Sequence, residues 1–312
     1  MAQIVGVGAN VFDTIYRLNT FPKEDSKQGA VTVTECGGGP CATGLVTAAK
    51  LGASCAYIGN SSDDGAGEFL RGDFLRYGVD TSFMQTISGT SGFRSCIWLA
   101  DDSATRTCVF HRGNVPGMNI GSEEATAIQS AEVLMVDGND LPAAVSAASI
   151  ARSNGTLVLY DAGGLYPGVE KLLELTDILI PSEEFACKHT GMLTAADAAK
   201  ELFRVYGPKV VVVTQGKQGG IIYDGNTVTS YPAFSVEAVD TNGSGDVFHG
   251  AFAFATLRNW NYYQCCVFSS AVSALKCTGM GARCSVPKLE DVFVFLAARG
   301  IDLNNFKSDF LN

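Results

Sequence analysis

The chain has 312 residues, 46% hydrophobic and 17% charged, a balance that suits one large or two small globular domains and excludes a disordered or fibrous chain. Its 22 basic and 32 acidic residues leave a formal charge of −10, so no basic field exists to gather nucleic acid or an anionic membrane, and an anionic ligand needs a local positive site. Glycine is the outlier at 35 residues, roughly 11% against a usual ~7%, which points to tight turns and backbone laid close against ligands.

The opening Met1-Ala2-Gln3-Ile4 runs into a strand without a basic leader, and no stretch approaches the ~20 apolar residues of a membrane span. The chain therefore reads as soluble and cytoplasmic, with no nucleic acid and no membrane as partner. The ten cysteines include no CxxC pair and stand at no zinc spacing from His111, His189 or His249, so they read as buried small hydrophobes.

Strand-like apolar runs occur at 3–8, 56–58, 133–136, 156–160, 178–180 and 210–214, most followed by helical segments. That alternation predicts βαβ units around a mostly parallel sheet. Two segments break the pattern, 29–36 and 93–112. The second has two alternating runs around the polar turn Asp101-Asp102-Ser103-Ala104-Thr105 and reads as a hairpin. Hairpins do not easily join a parallel sheet, so both segments are assigned to a small separate β-layer able to cover a site at the sheet edge. One α/β domain over 1–312 is expected, with lid segments at about 14–36 and 92–112. Further on, Thr194 with Asp197 opens a helix that Gly207-Pro208 closes, and the valine run at 210–213 suits a strand buried on both faces.

The most informative segment is Asp240-Thr241-Asn242-Gly243-Ser244-Gly245-Asp246, followed by Phe248, Phe252 and Ala255 at helical spacing. The glycines form a turn, the helix N-terminus offers unpaired amides and a positive dipole end, and phosphate is the natural guest. A carboxylate beside such an anion site is repulsive unless it takes a proton during reaction. Asp246 is thus a candidate general base for a hydroxyl attacking a γ-phosphorus, with the Gly243, Ser244 and Gly245 amides stabilising the transferring phosphoryl. An aspartate in a first helical turn also serves as a simple dipole partner. Other nucleotide motifs fail: Gly6-Val7-Gly8-Ala9-Asn10-Val11 lacks the third dinucleotide glycine, Gly216-Lys217 is followed by Gln218 and so is no P-loop, and His111-Arg112 is followed by Gly113 rather than a catalytic aspartate.

Asp240–Asp246 resembles the C-terminal signature of the ribokinase-like (PfkB) carbohydrate kinases, with Ser244 for the usual alanine. A second signature is similar: Gly37-Gly38-Gly39-Pro40-Cys41-Ala42-Thr43-Gly44, Ala48-Ala49-Lys50-Leu51-Gly52, Ile58-Gly59 and Asp63-Asp64-Gly65-Ala66-Gly67. The resemblance covers about 4–287. It implies the ribokinase-like α/β fold with a β-lid, ATP and Mg2+ as cofactors, Asp246 as base and 243–245 as anion hole. Asp13, with Asn10 on the same segment, matches the group that holds sugar hydroxyls, and Gly38 and Gly39 match the paired glycines that admit the sugar. Thr214, Gly216 and Gly219 match the segment near the ATP phosphates, and the loop with Gly281 and Ser285 matches the one bordering adenine. In some relatives that loop helps coordinate a monovalent cation, which here would be K+ near Asp240.

Three positions depart from the pattern. Thr43 stands where many members carry asparagine, Ser182-Glu183-Glu184-Phe185 replaces Asn-x-x-Glu with only Glu183 placed to serve magnesium, and Asn139 follows a core strand facing the substrate. The stretches Thr214-Gln215-Gly216, Pro232-Ala233-Phe234, 246–250 and 274–278 look closest to sulfofructose kinases, while Ser95-Cys96 and Gly138-Asn139 are similar to ketohexokinases. The resemblance thus implies an ATP-dependent kinase of a ketohexose or an acidic ketose such as sulfofructose, with Lys27 and Arg106 as candidate partners for its anionic group. It also implies a homodimer through the lid. A nucleoside kinase and a non-catalytic sugar or nucleotide sensor on the same fold are the alternatives.

Overall fold

The computed structural model describes residues 1–103 and 105–306, so Ala104 of the expected turn lies outside the described residues. Along the chain, β1 (Ile4–Val7), β2 (Val11–Leu18) and β3 (Thr32–Gly38) precede α1 (Pro40–Lys50), β4 (Cys55–Ser62) and α2 (Gly65–Arg76). Then come β5 (Val79–Asp80), β6 (Met84–Ile87), β7 (Arg94–Ala100), β8 (Thr105–His111), α3 (Ser122–Ser130), β9 (Val133–Val136) and α4 (Leu141–Asn154). The chain continues through β10 (Leu157–Ala162), α5 (Glu170–Leu173), β11 (Ile178–Pro181), α6 (Glu183–Thr190), α7 (Ala195–Tyr206) and β12 (Val210–Thr214). Last are β13 (Gly220–Tyr223), β14 (Val228–Tyr231), α8 (Ser244–Thr256), α9 (Tyr262–Cys277) and α10 (Leu289–Ala297).

The main sheet has the order β14-β13-β12-β11-β10-β9-β1-β4-β5, with β6 also on β4. From β12 to β5 the pairs are parallel, and β13 and β14 add antiparallel at one edge. Side chains of one strand feed two cores in alternation: Val210 and Val212 join the core that also holds residues of α1, α8 and α9, and Val211 and Val213 the one that holds residues of α4, α6 and α7. Period-two alternation in a strand covered on both faces makes every position apolar, which is why this valine run is legible as a strand. The helix after Thr194 forms as expected, with the Thr194 hydroxyl accepting from Asp197 N and Gly207 in the left-handed conformation at its end. The short strands β5, β6, β13 and β14 were not anticipated; they are only two to four residues long.

A separate four-stranded sheet has the order β3-β2-β7-β8. β2 pairs antiparallel with β3 and parallel with β7, and β7 and β8 form the expected hairpin. Its first segment runs from Val11 to Gly38, starting before and ending after the expected 14–36, because Val11, Phe12 and Asp13 pair with Gly38, Gly37 and Cys36. Cysteines are free thiols; Cys108 on the outer strand β8 and Cys284 in the loop after α9 are exposed, which corrects the expectation that all are buried. Among the described residues no helix is long and apolar enough to cross a membrane.

Candidate active site

The parallel strands all point their carboxyl ends toward one edge, where open α/β sheets bind ligands. Asn10 follows β1, Asp137 and Asn139 follow β9, Asp161 ends β10, Glu183 follows β11 and Gln215 follows β12. Asp137 locks this edge. Its Oδ2 accepts from Ala9 N at 2.8 Å and Cys41 N at 3.0 Å, and its Oδ1 from Asn139 N at 2.9 Å. One buried carboxylate thereby joins the ends of β1 and β9 to the start of α1.

α8 lies against α1 because Gly250 has no side chain; a Cβ there would collide with the Gly44 carbonyl. The approach sets the N-terminus of α8 at the same edge. Gly243 caps that helix with φ 74°, a left-handed conformation glycine adopts without strain. Among the described residues the first-turn amides of Gly245 and Asp246 have no backbone carbonyl to accept them. The Ser244 amide differs from the expectation, since it turns inward to Thr241 O at 3.3 Å.

Asp246 stands in this first turn. Desolvation pushes its carboxyl above the ordinary range; His249, Arg106 and Lys276 oppose the shift and Asp137 adds to it. His249, one turn on and buried, has Nδ1 2.7 Å from Gly245 O and 3.2 Å from Asp161 Oδ2, and Nε2 2.9 Å from Ile180 O. It ties the start of α8 to the ends of β10 and β11. Asp161 is itself pushed up to about 7 by burial, opposed by His249 and reinforced by Asp246 and Asp137. Asp161 and Asp246 are thus interacting carboxyls both raised by burial, the kind of group that serves proton transfer.

Asp13, buried on β2, accepts from Ser95 Oγ at 2.6 Å, and burial lifts its carboxyl to about 6, with Ser95 and Arg283 lowering it and Asp246 adding to the rise. Gly38 faces it directly: a Cβ on Gly38 would sit 2.7 Å from Asp13 Cγ. Gly39 caps α1. Arg283, fully buried, runs beneath this corner, with Nη1 2.8 Å from Asp73 Oδ2 and Nη2 donating to Asn10 Oδ1 at 2.7 Å and to Gly38 O. The Asn10 Nδ2 has no partner among the described residues.

A cavity of about 600 Å³, within the range of small-molecule sites, opens beside Asn10 and is walled by Asn60, Phe93, Arg112, Asn139 and Tyr166 among others. Arg112 lies over the Phe93 and Phe110 rings and donates to Asn139 Oδ1 at 3.2 Å. Of the expected substrate residues, Asn10 and Asn139 form its wall, while Asp13, Gly38, Gly39, Thr43 and Arg106 do not. Thr43 is fully buried in α1, its hydroxyl without a partner among the described residues. Arg106 reaches from β8 to Asn242 Oδ1 at 3.1 Å, toward the glycine turn rather than the cavity. Lys27 is exposed in the β2–β3 connection. Arg112, which the sequence reading passed over, is the cation at the cavity; its place at the end of the hairpin strand was the available signal.

Toward the antiparallel edge of the main sheet, Thr214 ends β12, and Gly216 and Gly219 carry positive φ in the turn that follows. Gln215 Nε2 donates to Glu183 Oε1 at 2.8 Å. A single half-buried carboxylate suits magnesium that arrives on nucleotide phosphates and keeps much of its water. In the loop after α9, Gly281 N donates to Asp240 Oδ2 at 2.9 Å and Ser285 Oγ to Met280 O at 2.6 Å. The K+ expected near Asp240 meets a different arrangement, because the Lys276 ammonium donates to Asp240 O at 2.7 Å.

The pfkB family carbohydrate kinase model matches residues 1–289. The chain is 30% identical over 265 residues to a ribokinase of Haemophilus influenzae, covering 83% of this chain and 87% of that one. It is 26% identical over 290 residues to a nucleoside kinase of Methanothermobacter thermautotrophicus, covering 91% and 92%. The solved structure of Arabidopsis thaliana ribokinase complexed with ribose and ATP matches with a TM-score of 0.83 at 23% identity, over 95% of this chain and 98% of that one, a likeness of fold.

Proposed function

Because the chain belongs to the pfkB family of carbohydrate kinases, and is therefore a phosphotransferase that uses ATP and an alcohol acceptor, we propose that it phosphorylates a small sugar with Asp246 as general base. The observation that carries this reading is the Asp246 carboxyl, lifted by desolvation, in the first turn of α8 beside the Gly245 and Asp246 amides, which have no carbonyl partner among the described residues. A pure sensor needs the amides and not the base.

In this reading Asp13 and Asn10 accept and donate to sugar hydroxyls, and Gly38 and Gly39 let the ring approach the backbone. Asp246 takes the proton of the acceptor hydroxyl as it attacks the γ-phosphorus, and the Gly245 and Asp246 amides hold the charge that develops on the phosphoryl oxygens. Thr214, Gly216, Gly219, Gly281 and Ser285 border the nucleotide. Magnesium, bound with ATP and reached from Glu183, would neutralise phosphate charge. The four-stranded sheet acts as a lid that excludes water, with Arg106 closing on Asn242. Exposed Val33 and Val109 on this sheet support a homodimer through the lid.

The acceptor is a ketohexose or an acidic ketose such as sulfofructose, a reading supported by Arg112 at the cavity wall beside Asn139. A pentose or nucleoside acceptor is the second reading, favoured by the names of the relatives at 30% and 26% identity. ADP formation from Mg-ATP with fructose, tagatose, sulfofructose, fructose phosphates, ribose and adenosine separates them. Turnover with a ketose supports the first reading, and turnover with ribose or adenosine alone replaces it with the second. ATP binding without turnover across a widened panel would favour the sensor.

A further inference from the structure

Resting on the kinase reading above, we propose that Lys276 supplies from within the chain the positive charge that a monovalent cation would bring to Asp240, so that the protein works without K+. Lys276 lies in the last turn of α9, fully buried. Its Nζ donates to the Asp240 carbonyl at 2.7 Å and stands 3.8 Å from Asp240 Oδ2. The same carboxylate accepts from Asn242 N at 2.8 Å through Oδ1 and from Gly281 N at 2.9 Å through Oδ2. Val239 N and Asp240 N both donate to Cys277 O, at 2.8 and 3.2 Å.

These contacts make Asp240 the junction of two loops, 240–243 before α8 and 279–285 after α9. A carbonyl and a carboxylate oxygen are the donors a hard monovalent ion would take, and here they already face an ammonium. A second cation on the same oxygens would lie against the first in a buried space, where like charges repel strongly. The residues present therefore do not fit K+ at Asp240.

Lys276 acts as a positioning residue. It touches no reacting atom in this arrangement, but it fixes the start of the turn that presents the Gly245 and Asp246 amides, and its charge stabilises the carboxylate form of Asp246. Its removal would leave the buried Asp240 carboxylate held by two amides but without its nearby ammonium, and such a group would attract a cation from solution.

The test compares KCl with tetramethylammonium chloride at equal ionic strength. Three quantities are read: ATP affinity by calorimetry, thermal midpoint, and turnover with whichever acceptor the panel identifies. The wild-type protein should give the same ATP affinity and midpoint in both salts, within about twofold in affinity. Lys276→Met should bind ATP about tenfold more weakly in tetramethylammonium and recover part of that affinity in KCl. A wild-type protein whose affinity or turnover rises about tenfold on adding K+ overturns the proposal. So does a Lys276→Met protein that binds ATP normally without alkali cations. If Lys276→Met does not fold, the wild-type comparison decides alone. If no acceptor is turned over, the kinase reading fails separately, while affinity and midpoint still decide the role of Lys276.

Discussion

Arg106 Nη1 donates to Asn242 Oδ1 at 3.1 Å, joining the outermost strand of the small sheet to the glycine turn that starts α8. The contact runs from an exposed strand to the turn proposed above to hold the transferring phosphoryl, so on that reading seating of the sheet and completion of the site are coupled. Arg106 also favours the ionised form of Asp246. Removing it leaves Asp246 harder to deprotonate. Arg106→Ala should lower kcat by about tenfold or more and move the acidic limb of the kcat/KM profile to higher pH. An unchanged pH profile would separate Arg106 from the base.

Asp13 carries a stability cost that the sugar-binding role proposed for it would explain. Burial lifts its carboxyl from 3.8 to about 6, so between those values the native state holds more protons than the unfolded chain. Stability then falls as pH rises through that window, and the full cost, up to about 3 kcal/mol, is present above pH 6. Asp13→Asn should therefore melt higher than wild type at pH 8, lose that advantage near pH 4, and raise KM for the sugar by at least about tenfold. Calorimetry at the two pH values, with kinetics at one, checks both halves.

Gly38→Ala tests the same corner sterically. The new Cβ would stand 2.7 Å from Asp13 Cγ, closer than carbon atoms pack, so the carboxyl must move. KM for the sugar should rise about tenfold or more while ATP affinity stays near wild type. Isothermal titration with each ligand reads the split.

Arg112 decides between acceptor classes. If the bound sugar carries an anionic group against this guanidinium, Arg112→Ala should raise KM for that substrate about tenfold or more and leave a neutral sugar nearly unaffected. Equal effects on charged and neutral sugars would instead assign Arg112 to holding Asn139, whose Oδ1 it contacts at 3.2 Å.

Contiguous chemistry was legible in the sequence and long-range chemistry was not. The glycine turn before α8 and the valine strand β12 show themselves through local residue order, because helix-terminus and strand rules act over a few residues. The separate β-layer was readable from the hairpin at 93–112, yet the parallel pairing of β2 with β7 links segments some eighty positions apart and no local signal encodes it. Arg283 beneath Gly38 and Lys276 on Asp240 were missed for the same reason. A lone charge inside the apolar run of α9 was a clue to Lys276, since a buried ammonium needs a partner. Lys27 was expected beside an anion on the strength of its charge, but it lies exposed in a loop while Arg112 stands at the cavity.

The most direct test of the account is the single-turnover rate of phosphoryl transfer by Asp246→Asn, measured with the best acceptor and saturating Mg-ATP beside ATP affinity. Loss of the base predicts a rate lower by about 10²-fold or more with nucleotide binding retained. A variant that transfers phosphoryl at the wild-type rate would contradict the assignment of Asp246 and with it the mechanism drawn from this site.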